Sequence, residues 1–68
     1  MTGKQLDALL RRHRVSQREV ARRTSLEQPY ISAIARALRG KAIVDPTIEH
    51  LIVGAVNAVL RERKEAKP

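Results

Sequence analysis

Signals that start helices recur along this chain and divide it into short segments. Thr2 and Gln5 have the spacing of a capping box, in which side chain and backbone at a helix start satisfy each other. Ser16 and Glu19 repeat that spacing, and Val15 and Val20 around them have the spacing of a hydrophobic staple. Asp45 precedes Pro46, which pairs an N-cap carboxylate with a residue whose missing N–H costs nothing in a first turn. Nothing alternates with period two, so the spacing predicts an all-α chain.

The apolar residues fall into matching stripes. Leu6, Leu9 and Leu10 mark a helix over Gly3–Arg12. A short second helix, Gln17–Arg23, turns Val20 and Ala21 inward and Arg18, Arg22 and Arg23 outward. Leu26 plugs the core after the break at "TSLE". A third helix begins near Gln28 with Pro29 in its first turn. It buries Ile31, Ile34 and Leu38 and runs to Arg39, with Gly40 as its stop. Ile43 or Val44 folds onto the core from the linker "KAIVDP". Ile48, Leu51, Ile52, Ala55, Val56 and Val59 then define a fourth helix to about Arg63, roughly 27 Å long. The chain reads as one domain over 1–63, with 64–68 as a flexible basic tail, because "RERKEAKP" has no apolar anchor.

Charge narrows the partner. Fourteen Lys and Arg stand against seven Asp and Glu among 68 residues, a net charge of +7. An excess rich in Arg favours an anionic partner, nucleic acid before a membrane surface. No Cys is present, and His13 and His50 have no ligand spacing, so no metal or other cofactor is expected. No paired carboxylates, nucleophile–base set or Gly-rich phosphate loop is visible, so no enzyme is expected either. The longest apolar run, Leu51–Leu60, is far short of the roughly 20 residues of a membrane span. No signal peptide is visible. A cytoplasmic protein without membrane contact or a small-molecule ligand is expected.

Two short helices joined by a tight turn require a small residue at their crossing, a core residue after the turn and branched apolar residues on the second helix. Ala21, Leu26, Ile31 and Ile34 meet those needs. With Gln17, Ser25, Gln28 and Ser32, the stretch 16–36 resembles the helix-turn-helix of the Cro and repressor family of phage and bacterial regulators. The resemblance implies a lambda-repressor-like domain of four helices, or five, with a long C-terminal helix. It also implies a sequence-specific double-stranded DNA-binding transcriptional regulator, such as a Cro-like phage or plasmid repressor. An excision or recombination accessory protein is an alternative, as is a protein-binding module such as an antitoxin. Three positions depart from the family pattern. Ser25 stands where the family usually has Gly, and Ala35 and Ala37 where it often has an acidic residue and Gly.

On this reading the third helix enters the major groove. Gln28 pairs its amide with an adenine, Ser32 and Ala33 follow one turn on, and the Pro29 ring favours a thymine methyl. Arg36 reaches a guanine or a phosphate. The resemblance gives Gln17 a phosphate contact at a helix N-terminus. Arg18, Arg39 and Lys41 are further phosphate candidates, and Tyr30 either donates to a phosphate or covers the core edge. Arg22 and Arg23 read as solvated surface. A single unit of this size makes few base contacts, so a homodimer on a near-palindromic operator is expected, at least on DNA. Val53, Val56 and Leu60, off the main stripe of the fourth helix, are its expected interface, with Gly54 permitting close approach.

Overall fold

The computed structural model describes residues 1–66, apart from the side chain of Leu38. Four α-helices follow one another: α1 (Gly3–Arg12), α2 (Gln17–Thr24), α3 (Gln28–Arg36) and α4 (Pro46–Glu65). A 3-10 turn, Ala37–Gly40, follows α3, and a lone antiparallel bridge joins Thr2 to Ile43.

Local chemistry sets each helix start. Thr2 Oγ1 accepts from the Gln5 N–H at 3.2 Å, and Gln5 Oε1 accepts from the Thr2 N–H at 2.8 Å, which closes the expected box. Ser16 Oγ accepts from the Glu19 N–H at 3.0 Å, but only that half of the second box forms. The Glu19 carboxylate turns instead to Arg22 and Arg23, 3.0 and 2.8 Å away. Asp45 Oδ1 accepts from the Thr47 N–H at 2.8 Å. Glu27 precedes α3 without a side-chain cap bond; Pro29, in the first turn, brings no N–H that needs one.

The core draws on every helix. Leu6, Leu10, Val15, Val20, Ile31, Val44, Ile52, Ala55, Val56 and Val59 are buried. Leu9, Ala21, Leu26, Ile34, Ile48 and Leu60 pack against them. The linker choice falls to Val44, while Ile43 is 81% exposed. Leu51, expected in the stripe of α4, is 40% exposed because it sits at the edge of the buried arc centred on Ile52, Val56 and Val59. Leu38, expected inside, has a side chain outside the described residues.

The third helix stops earlier than expected. Ala37 has ψ 126°, which ends the α-helical ladder after Arg36, and the chain tightens into the 3-10 turn. Arg39 and Gly40 close that turn at φ 58° and 80°, a left-handed region that favours glycine. Gly40 is required twice over, because a Cβ there would also lie 3.0 Å from Lys4 Cβ. Gly3 is tighter still: a Cβ would come within 2.4 Å of the Ile34 carbonyl oxygen. Together these two glycines let the start of α1 press against the end of α3.

The segment expected to fray is helical. α4 runs through Glu65, so the expected boundary at residue 63 falls inside a helix. Its last turns are held by polar contacts with distant chain, not by apolar anchors. Arg63 donates to the carbonyls of His13 at 2.6 Å and Arg14 at 2.8 Å. Glu62 accepts from both terminal nitrogens of Arg23, one of them at 2.7 Å. Lys67 and Pro68, the end of the expected tail, lie outside the described residues.

Candidate nucleic-acid interface

The turn between α2 and α3 spans only Ser25–Glu27. Ser25 has φ 64°, the conformation in which the residue closing a helix is usually Gly. The turn is braced from both sides. Thr24 Oγ1 donates to the Val20 carbonyl at 2.8 Å and accepts from the Leu26 N–H at 3.3 Å. Leu26 then packs on the core, which fixes how α3 leaves α2.

The residues expected at base edges share one face of α3. At about 100° per residue, Gln28, Pro29, Ser32, Ala33 and Arg36 fall in one arc opposite Ile31 and Ile34. Gln28, Pro29, Ala33 and Arg36 are exposed and Ser32 is half-buried. Tyr30, 46% exposed, lies on the other flank. There it lines an apolar notch with Ile34, Ala37, Ile43 and Ile48. Gln17 is half-buried in the first turn of α2, beside exposed Arg18.

Cations gather at the end of α3. An open groove of about 520 Å³ is lined by Lys4, Asp7, Ala35, Arg36, Arg39 and Gly40. Asp7 is engaged by Arg11 at 2.9 Å. Lys4, Arg36 and Arg39 are exposed, as is Lys41 just beyond, and none of the four has an ion-pair partner among the described residues. Three elements thus bring Lys4, Arg36 and Arg39 to one concavity. Lys4 escaped sequence reasoning, since a lysine in the first turn of an amphipathic helix carries no signal of its own. The pair Gly3 and Gly40, whose lack of Cβ brings α1 to this place, is the trace that pointed there.

Elsewhere some of the basic residues are occupied within the chain. Arg22 pairs with Glu19 and stays exposed, as expected. Arg23 does not: it is half-buried, clasped between Glu19 and Glu62. Hydrogen bonding to Glu62 and then to Glu19 raises the guanidinium pKa further. The same bonds from Arg23 hold both carboxyls below their ordinary range.

The expected dimer face does not form one surface. Val56 is 1% exposed and belongs to the core, and Leu60 packs against that core. Val53 is half-buried. Val56 and Leu60 thus complete the core of the single chain, where α4 packs chiefly on α2. Gly54 is open, with nothing within 4 Å of the place a Cβ would take.

Among the described residues no helix is long and apolar enough to cross a membrane, and no group of His, Asp or Glu is placed to hold a metal ion. No protein-family model, curated protein or solved structure matches this chain.

Proposed function

We propose that this chain is a cytoplasmic, sequence-specific double-stranded DNA-binding regulator of the Cro-like repressor kind, with α3 as its reading element. The observation that carries this reading is the face of α3. Gln28, Pro29, Ser32, Ala33 and Arg36 point away from the core on one arc, and cations without internal partners lie at its end. The left-handed Ser25 supports it further, since the family that this stretch resembles usually puts Gly there.

In this mechanism phosphate contacts position the protein and base contacts specify the site. Gln17 at the start of α2 and Arg18, Arg39 and Lys41 take phosphates. Lys4 joins them through the groove it shares with Arg36 and Arg39. Gln28 presents its amide to an adenine edge, a pairing worth about 1–3 kcal/mol of discrimination. Ser32, Ala33 and Pro29 read neighbouring positions by size and apolar contact. Two copies occupy the halves of a near-palindromic operator, which doubles the number of bases read.

The test is selection of bound duplexes from a random-sequence pool, using the full chain. The expected result is an enriched site with two-fold symmetry. Recovery of unenriched sequence, or of no DNA at low salt, overturns the reading.

A further inference from the structure

Among the described residues, three other than glycine hold a left-handed backbone: Arg14, Ser25 and Arg39, at φ 54°, 64° and 58°. A side chain makes that conformation costly, and glycine or asparagine bears it best. Ser25 is small and sits in the braced turn before α3. The two arginines are long and exposed, and neither has an ion pair among the described residues. The arginine side-chain hydrogen bonds found there belong to Arg22, Arg23 and Arg63. Inside the fold, then, neither side chain offsets the strain of its own backbone. Strain that serves nothing inside a fold points to a contact outside it.

The surroundings separate the two arginines. Arg14 closes α1, where the Val15 N–H donates to the Leu10 carbonyl at 2.9 Å across the left-handed residue. The groove that Arg14 lines also holds Glu19 and Glu62, and its other arginines are bonded within the chain. The groove of Arg39 holds Lys4 and Arg36, both exposed and without an ion pair among the described residues. Its one carboxylate, Asp7, is engaged by Arg11. That groove is also firmly built. The Gly3 N–H donates to the Ala42 carbonyl at 3.1 Å, which ties the start of α1 to the chain just past the 3-10 turn. A Cβ on Gly40 would lie 3.0 Å from Lys4 Cβ, so the turn that carries Arg39 rests against Lys4.

We propose that the left-handed backbone at Arg39 serves to bring its guanidinium into this concavity, where Arg39, Arg36 and Lys4 together hold one phosphodiester group of a DNA backbone. Folding stability is given up for that contact. A guanidinium offers parallel N–H groups to phosphate oxygens, and the ammonium adds a point charge beside them. Cations already gathered from α1, α3 and the 3-10 turn need little reordering to meet an anion. The inference rests on the DNA reading for its ligand, but not on any base being read.

The test compares two matched substitutions in the full chain, by melting temperature and by salt-dependent binding of a duplex of arbitrary sequence. Arg39→Gly and Arg14→Gly remove the same charge and relieve the same backbone conformation. Each is expected to raise the melting temperature by about 2–6 °C, because the relieved strain exceeds the freedom that glycine adds to the unfolded chain. Only Arg39→Gly is expected to weaken binding, about fivefold at moderate salt, and to reduce the slope of log K against log salt by about 1. Arg39→Lys keeps both charge and strain, so it is expected to keep the slope and the wild-type melting temperature. Equal loss of slope from the two glycine variants, no loss from Arg39→Gly, or a melting temperature that fails to rise with it overturns the proposal. Site selection is scored separately. An enriched site with an unchanged Arg39→Gly slope sinks this inference alone, and duplex binding without enrichment sinks the sequence-reading role alone.

Discussion

Basic residues on two sides of this molecule have opposite fates. Between α2 and the end of α4, Arg23 is clasped by two carboxylates and Arg63 donates to two backbone carbonyls. Around the end of α3, Lys4, Arg36, Arg39 and Lys41 stand exposed without an ion pair among the described residues. The first group fastens a helix end that has no apolar anchor. The second fastens nothing, so its charge is available to a ligand. Part of the basic charge is thus spent inside the chain, and that part does not speak about a partner.

This contrast breaks most directly by removing charge on the open side. Arg36→Ala with Arg39→Ala is expected to weaken DNA binding by tenfold or more at moderate salt. It should also reduce the slope of log K against log salt by about 1 per lost phosphate contact. Thermal stability should not fall with it, since neither side chain has an internal ion pair among the described residues. A salt titration with a melting curve reads both.

The geometry that assembles the open side is tested next. Gly3→Ala forces a Cβ against the Ile34 carbonyl and is expected to cost about 1–3 kcal/mol of stability by overpacking. Chemical denaturation measures it. Ser25→Val is expected to cost about 1–2 kcal/mol, because a branched side chain opposes the left-handed turn. Ser25→Gly should cost none of this strain, and the same measurement compares the two.

Acid sharpens the contrast from the clasped side. Glu19 and Glu62 are held below their ordinary value of 4.5, chiefly by hydrogen bonds from Arg23. Their contribution is complete above that value and is lost as pH falls through the lowered ones. Melting temperature should thus decline below about pH 4.5, and Arg23→Gln should flatten that decline. The smallest effect is expected for Arg22→Ala, within about 0.5 kcal/mol, as for an exposed pair.

Much of the fold was legible because its signals are local. The caps at Thr2, Ser16 and Asp45 and the stripes of α1 and α4 depend on residues within four positions of one another. What escaped depends on distant chain. Val56 reads as an interface for a second copy although the core of its own chain buries it, and Leu51 reads as core although it is left at the edge of the buried arc. Arg63 meets carbonyls some fifty residues away, so no neighbouring residue announces that the last turns of α4 are held. The end of α3 was misplaced by one turn because alanine favours a helix, yet Ala37 is extended where α1 presses in. The face of α3 was legible from spacing alone, whereas Lys4 needed the packing of two glycines to bring it there.

On the proposed function, α3 reads sequence through Gln28. Parallel selections from one random duplex pool, with the wild-type chain and with Gln28→Ala, test it. A two-fold site is expected for the wild type, and loss of preference at one or two base pairs in each half for the variant. An identical site from both proteins, or no enriched site from either, would contradict it.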